Sequence, residues 1–273
     1  MKLKHKLPTA TLFDEISAYW TEISNANATK KQIDFVRNNV NPEGLVLDLG
    51  CGTGRHAVPL CEAGYGMVGL DISMRLLQIA KKKAAEAGAS PMWVRSDMRF
   101  VPFRSGVFEV VVSLDASFGY LPSENADLQS LKEASRSLRE KGVFLLDVFN
   151  RERMVRRYGK SVGFGFWSLL FGLLPKFPRF AGLFRWREYP SFYLLQKRSV
   201  TEKGEKLLDL WVFREKKTGK IRLFLHVARL YSFPQLQMML KKAGFQIMRL
   251  HGGYEGQEYS ENASRLIVVA HKN

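Results

Sequence analysis

The chain has 273 residues, 46% of them hydrophobic and 25% charged, with two cysteines and a formal net charge of +16. That is enough chain to bury a sizeable core, too apolar for a disordered segment, and too poor in thiols for a disulfide scaffold. The basic excess is concentrated: residues 151–233 hold nineteen Lys and Arg against six Asp and Glu. Such a field favours an acidic partner, whether an anionic small molecule, a nucleic acid or a membrane headgroup.

The first eight residues, Met-Lys-Leu-Lys-His-Lys-Leu-Pro, are basic but lack the apolar region of a signal peptide. No stretch reaches the length of a transmembrane helix. A cytoplasmic protein is the expectation, with peripheral membrane contact through 161–184 as the alternative. Residues 11–40 read as helical, with Leu12, Phe13, Ile16, Tyr19, Trp20 and Ile23 at one spacing and Ile33, Val36 and Val40 at another. Asn41-Pro42-Glu43-Gly44 is a turn. Val46, Leu47 and Leu49 then form a short apolar run with the pattern of a buried parallel strand.

Gly50, Gly52 and Gly54 follow at alternate positions. Glycines there let a ligand approach the main chain, and the next helix start offers unpaired N–H groups to it. The spacing is not the G-x-G-x-x-G of a dinucleotide site, because position 55 is Arg; what stands is D-x-G-x-G-x-G, beginning at Asp48. A helix through about residue 63 follows, with Pro59 predicting a kink. A second strand, 67–70, ends at Asp71, about where a nucleotide-binding unit places the carboxylate that takes ribose hydroxyls.

Ser73 is placed to cap a helix that ends near Gly88. Strands at 92–95 and 107–114 come next, the second centred on Val110-Val111-Val112, then a helix over 123–139 and a fifth strand over 143–149. This alternation predicts an α/β fold with a parallel, doubly wound sheet. It breaks at 151–233, where a basic helix and an aromatic stretch over 164–184 precede three strand-like runs, 191–200, 207–213 and 221–231. These suggest an antiparallel insertion laid over the carboxyl ends of the main sheet. A helix from Pro234 and strands at 245–250 and 266–270 return to the core, so that 1–150, 151–233 and 234–273 form successive regions.

Together these stretches resemble the class I S-adenosylmethionine (SAM) methyltransferases over nearly the whole chain. Val-Leu-Asp-Leu-Gly-Cys-Gly-Thr-Gly at 46–54 resembles their first motif, and Val-Gly-Leu-Asp-Ile-Ser at 68–73 their second. Arg-Ser-Asp-Met at 95–98 resembles the adenine-contacting motif, and 111–120 the fourth. The tail, with Arg-Leu-Tyr-Ser-Phe-Pro at 229–234, resembles a small-molecule branch in which a three-stranded insertion roofs the active site. The resemblance implies a seven-stranded Rossmann-like sheet and SAM as methyl donor, leaving S-adenosylhomocysteine. It further implies that Asp48 and the turn of Gly50, Cys51, Gly52 and Gly54 hold the methionine end. Asp71 would take the ribose hydroxyls, with Ile72 against the adenine, Asp97 on its amino group and Met98 beside it. Leu114 and Ser117 would line the pocket near the sulfonium.

Methyl transfer from a sulfonium is an in-line displacement that depends mainly on positioning, so strong acid–base signatures need not be present. Tyr19, Tyr120 and Tyr231 are the candidates for orienting an acceptor, with Tyr254 beside them; His56 and His251 are candidate bases, and Arg151 and Arg229 candidate partners for an acidic acceptor. No Cys/His cluster has metal-ligand spacing, so no metal is expected. The acceptor expected is small and anionic or amphiphilic. RNA methylation is the competing enzyme reading, drawn from the basic, aromatic 151–233 segment. A third reading is a membrane-surface or partner-binding module, drawn from the apolar run 164–177 with basic residues on both flanks.

Overall fold

The computed structural model describes residues 9–23, 26–159 and 184–273. The chain divides into two compact units, the first comprising the described residues up to Asn150 together with Tyr231–Asn273, the second Arg151–Leu230. Much of the aromatic stretch, including the apolar run 164–177, lies outside the described residues.

The first unit is built on seven strands: β1 (Leu45–Leu49), β2 (Gly66–Asp71), β3 (Met92–Arg95), β4 (Phe108–Ser113), β5 (Leu138–Phe149), and, after the second unit, β10 (Phe245–His251) and β11 (Arg265–Lys272). Their order across the sheet is β10-β11-β5-β4-β1-β2-β3. The central strands are apolar on both faces, as a parallel sheet with helices on each side requires: Leu47, Val111, Val112 and Leu145 have no accessible surface. Burying one such side chain contributes roughly 1.5–3 kcal/mol. The strand order reverses between β1 and β4, which pair in parallel through Val46–Asp48 and Val110–Val112. A doubly wound sheet opens a crevice at that switch point, beyond the carboxyl ends of the two strands.

Helices α1 (Thr9–Ile23), α2 (Ala26–Asn39), α3 (Ala57–Glu62), α4 (Met74–Glu86) and α5 (Glu124–Ser137) belong to this unit. Ser73 caps α4 by accepting from the Leu76 N–H at 3.2 Å, and its hydroxyl donates to Asp14 of α1 at 2.5 Å. Asp14 also accepts from the Arg75 N–H, so a carboxylate from α1 sits at the positive end of α4 and ties the two helices together.

Four expectations change. Pro59 kinks nothing, because α3 starts only at Ala57; Pro59 falls in its first turn, where a missing N–H costs no bond. The fifth strand starts at Leu138 rather than 143, and Lys141, at φ 59°, carries the irregularity that pairs Phe108 with Leu138 and Val110 with Val143. The sheet is not wholly parallel, since β11 runs antiparallel to β5 and to β10. The second unit contains four strands among the described residues, not three.

That unit comprises α6 (Arg151–Tyr158) and the antiparallel sheet β6 (Phe184–Glu188), β7 (Phe192–Val200), β8 (Lys206–Glu215) and β9 (Ile221–Arg229), in that order. One face of its sheet carries Phe192, Leu194, Phe213 and Phe224, all buried. Back in the first unit, Ser232 opens α7 (Phe233–Lys242) with a reciprocal capping box to Gln235, and the proline expected at the helix start is there. Among the described residues no helix is long and apolar enough to cross a membrane.

Candidate functional site

The crevice at the switch point is a cleft of about 860 Å³, counted out to open solvent, lined by residues of the first unit. The turn after β1 forms one wall, and the glycines explain its shape. Gly50, at φ 86°, packs so tightly that a Cβ would stand 2.9 Å from the Ser117 Cβ. Gly52, at φ 55°, has no atom within 4 Å of where a Cβ would lie, leaving its main chain open to a ligand.

The carboxylate at the end of β2 organises this turn. Asp71 accepts from the Gly52 N–H through Oδ2 and from the Ser73 N–H through Oδ1, each at 2.8 Å. Burial pushes its carboxyl above the usual range, against the pull of the N–H groups of Ser73, Gly52 and Ile72. Three main-chain N–H groups thus converge on its two oxygens and fix the carboxylate at the edge of the cleft.

Asp48, one strand inward, is 1% exposed, and its Oδ2 is buried without a partner. Burial holds its pKa at about 7, with Arg55 pulling down and Asp71 pushing up. The third carboxylate, Asp97, follows β3; although burial opposes it, its bonds to Arg99 hold it below the ordinary value. Arg99 grips it bidentately, Nε to Oδ1 at 3.0 Å and Nη2 to Oδ2 at 2.7 Å.

The loop after β4 forms the opposite wall. Asp115 and Ala116 both take left-handed conformations, φ 53° and 59°, which non-glycine residues adopt at a cost. Asp147, wholly buried near the end of β5, holds the loop by accepting from the Asp115 N–H at 2.8 Å. Arg265 neutralises Asp147 through two 2.6 Å bonds, and the Tyr254 hydroxyl donates to it as well. The Asp115 side chain pairs with Arg55 at 2.7 Å. Arg55 in turn donates to Thr29 and Gln32 of α2, and Gln32 Oε1 also meets His56 Nε2 at 2.8 Å. Buried beside Arg55, His56 is pushed well below its ordinary pKa and stays neutral.

The structure brings Gly50, Cys51, Gly52, Asp71, Ile72, Asp97, Met98, Leu114, Ser117 and Tyr120 together around this cleft. Asp48 lies behind the wall. Gly54 does not line it either: a Cβ there would meet Trp93 at 2.7 Å and Ala80 at 3.0 Å, so this glycine serves close packing. Tyr19 is buried on α1 away from the lining, and Tyr231 is a core residue whose hydroxyl donates to Asp127 at 2.6 Å. Tyr254 belongs to the Asp147 network, and His251 stands against the Phe35 ring. Arg151 is tied to the turn between β7 and β8 through the carbonyls of Gly204 and Lys203. The apolar periodicity of 11–23 gave no sign that Thr9, Phe13 and Trp20 would line the cleft. Among the described residues no group of acids, histidines and cysteines could hold a metal.

The residues present suit SAM: an open glycine wall, a carboxylate pinned by main-chain N–H groups, a buried acid behind the wall whose Oδ2 has no partner, and apolar Leu70, Ile72, Leu76 and Met98 for a purine. The fold is the Rossmann-like one shared by solved SAM-dependent methyltransferases. Residues 46–142 match the model of a methyltransferase domain family. A Bacillus subtilis protein named as a methyltransferase is 24% identical over 270 residues, covering 97% of this chain and 96% of its own length. The cypemycin N-terminal methyltransferase of a Streptomyces species is 25% identical over 230 residues, covering 82% and 81%. The crystal structure of a SAM-dependent methyltransferase from Clostridium acetobutylicum superposes with a TM-score of 0.75 at 17% identity, covering 96% of this chain and 99% of that one.

Proposed function

We propose that the enzyme methylates a small acceptor and that the first-unit cleft holds both donor and acceptor. When bound, SAM supplies an electrophilic methyl on a positively charged sulfur. Asp71 takes the ribose hydroxyls, Ile72 and Met98 flank the adenine, and Gly50–Gly52 pass beside the methionine end, whose ammonium faces the field of Asp48. Asp97 meets the adenine amino group with the lone pairs that Arg99 leaves it. Leu114, Ser117 and Tyr120 border the transfer region, where the protein's part is to hold the acceptor in line and exclude water.

One observation carries this reading: Asp71, bonded by the backbone at both oxygens, faces a glycine turn at the switch point of the sheet. The net charge of +16 supports an anionic or amphiphilic acceptor, which such a field draws in without specific contact. Calorimetric titration with SAM on wild type and Asp71→Ala tests the donor site. A loss of at least tenfold in affinity, about 1.4 kcal/mol, is expected; equal binding refutes the assignment. RNA methylation is the second reading, favoured by the basic excess of residues 151–233, and predicts an RNA affinity that falls steeply with salt.

A further inference from the structure

Three aromatic rings stand around one part of the cleft. Phe13 and Trp20 come from α1 and Tyr120 from the loop after β4, and all three line the same space as Gly50, Ser117 and Asp115. Their arrangement is specific. Phe13 meets Tyr120 with centroids 5.6 Å apart and planes at 75°, and meets Trp20 at 6.2 Å and 85°. Rings at right angles to one another form walls rather than a stack. The walls are fixed in place: the Thr9 hydroxyl donates to the Tyr120 carbonyl at 3.3 Å, and Asp14 anchors α1 to the start of α4. The loop that carries Tyr120 also touches the glycine turn, since Ser117 Oγ donates to the Gly50 carbonyl at 3.3 Å. The rings therefore border the transfer region rather than a remote surface.

The electrostatics of the lining point one way. Aromatic faces carry negative charge density and attract cations, most strongly where water is scarce. Among the described residues of the lining, Asp71, Asp97 and Asp115 are the carboxylates, and Arg55, already paired with Asp115, is the one guanidinium. An anionic reacting group would meet repulsion here. A group that carries positive charge before or after transfer would not.

We infer that the Phe13–Trp20–Tyr120 box takes the amino group of the acceptor, so that the enzyme is an N-methyltransferase of small amines; this rests on the donor site proposed above. The anionic remainder favoured by the overall charge is compatible with this, as in an amino acid or an acidic amino sugar. In the transfer, the lone pair of the free-base amine forms the N–C bond while the C–S bond breaks with its electrons left on sulfur. Positive charge thus passes from sulfur to nitrogen and is shed as a proton to solvent. A box of ring faces stabilises that charge on either side of the transfer.

The test uses the full chain saturated with S-adenosylhomocysteine and three probes: choline, its neutral isostere 3,3-dimethylbutan-1-ol, and acetate. Choline cannot accept another methyl on nitrogen, so calorimetry or NMR titration reads binding alone. Choline is expected to bind at least tenfold more tightly than the isostere, with acetate not competing. Trp20→Leu and Phe13→Leu are expected to erase most of that preference while changing S-adenosylhomocysteine affinity less than twofold, and Tyr120→Phe to retain it. Equal binding of choline and isostere, no binding of choline, or a preference untouched by Trp20→Leu would overturn the inference. Should a variant fail to fold, the wild-type comparison decides alone. Failure of the wild type to bind S-adenosylhomocysteine would instead remove the donor-site reading.

Discussion

Asp48 is a buried acid retained at a cost, and replacing it by asparagine measures that cost. In the folded protein its carboxyl keeps a proton up to about pH 7; in the unfolded chain it gives the proton up near pH 4. A carboxyl with a raised folded-state value contributes most to stability below about pH 4, and the contribution is lost as pH rises through 7. Linkage over this interval gives a penalty of about 4 kcal/mol at pH 8, of which about 1.7 is already present at pH 5. Asp48→Asn escapes it but puts an amide where Oδ2 has no partner, which costs roughly 1–3 kcal/mol at every pH. The variant should therefore be about as stable as wild type at pH 5 and about 1–3 kcal/mol more stable at pH 8. Urea melts of the ligand-free proteins give both values. The difference between them, about 2.5 kcal/mol, does not depend on the amide cost, because the amide does not titrate. A gap that stays constant from pH 5 to pH 8 refutes the argument. SAM should reverse the order of merit: its positive charge lowers the Asp48 pKa, so binding at pH 7 releases up to about half a proton in wild type and none in Asp48→Asn. Calorimetry in two buffers of different ionisation enthalpy detects this.

Two further outcomes follow from the network around the cleft. Tyr231→Phe removes the hydroxyl that Asp127 accepts from and should cost about 1–2 kcal/mol in stability while leaving KM and kcat within twofold; a large fall in kcat at unchanged stability would return Tyr231 to the transfer step. Arg265→Met leaves Asp147 buried without its bidentate partner and should cost about 3–5 kcal/mol, seen as a fall of roughly 10 °C in melting temperature; a loss below 1 kcal/mol would show that Tyr254 and the Asp115 N–H suffice.

The glycine turn and the acid that pins it were legible because their demands fall on the backbone. Left-handed angles at Gly50 and Gly52, and an acid at the end of the next strand, are requirements that only certain residue types meet at fixed spacing. The buried parallel strands were legible for a similar reason, since Val110-Val111-Val112 makes sense only between two covered faces. Gly54 reads the same way in sequence yet answers to Trp93 and Ala80, which no local pattern reveals. Period gives a helix its faces but does not say what each face meets, so Phe13 and Trp20 looked like core while they line the cleft. Tyr231 failed in the opposite direction, because its partner Asp127 lies 104 residues away.

The loop after β4 shows why the opposite wall of the cleft is the harder one to read. Asp115 and Ala116 take angles that their side chains disfavour, so nothing in their identities announces the turn. What holds the turn is distant in sequence: Asp147 from β5 takes the Asp115 N–H, Arg265 from β11 balances Asp147, and Arg55 from the glycine turn takes the Asp115 carboxylate. The glycine-turn wall of the cleft is thus specified locally and the wall after β4 by a buried network that only the folded sheet assembles. Substitutions in that network should therefore act on acceptor geometry and stability together, whereas those at Asp71 act on donor affinity first.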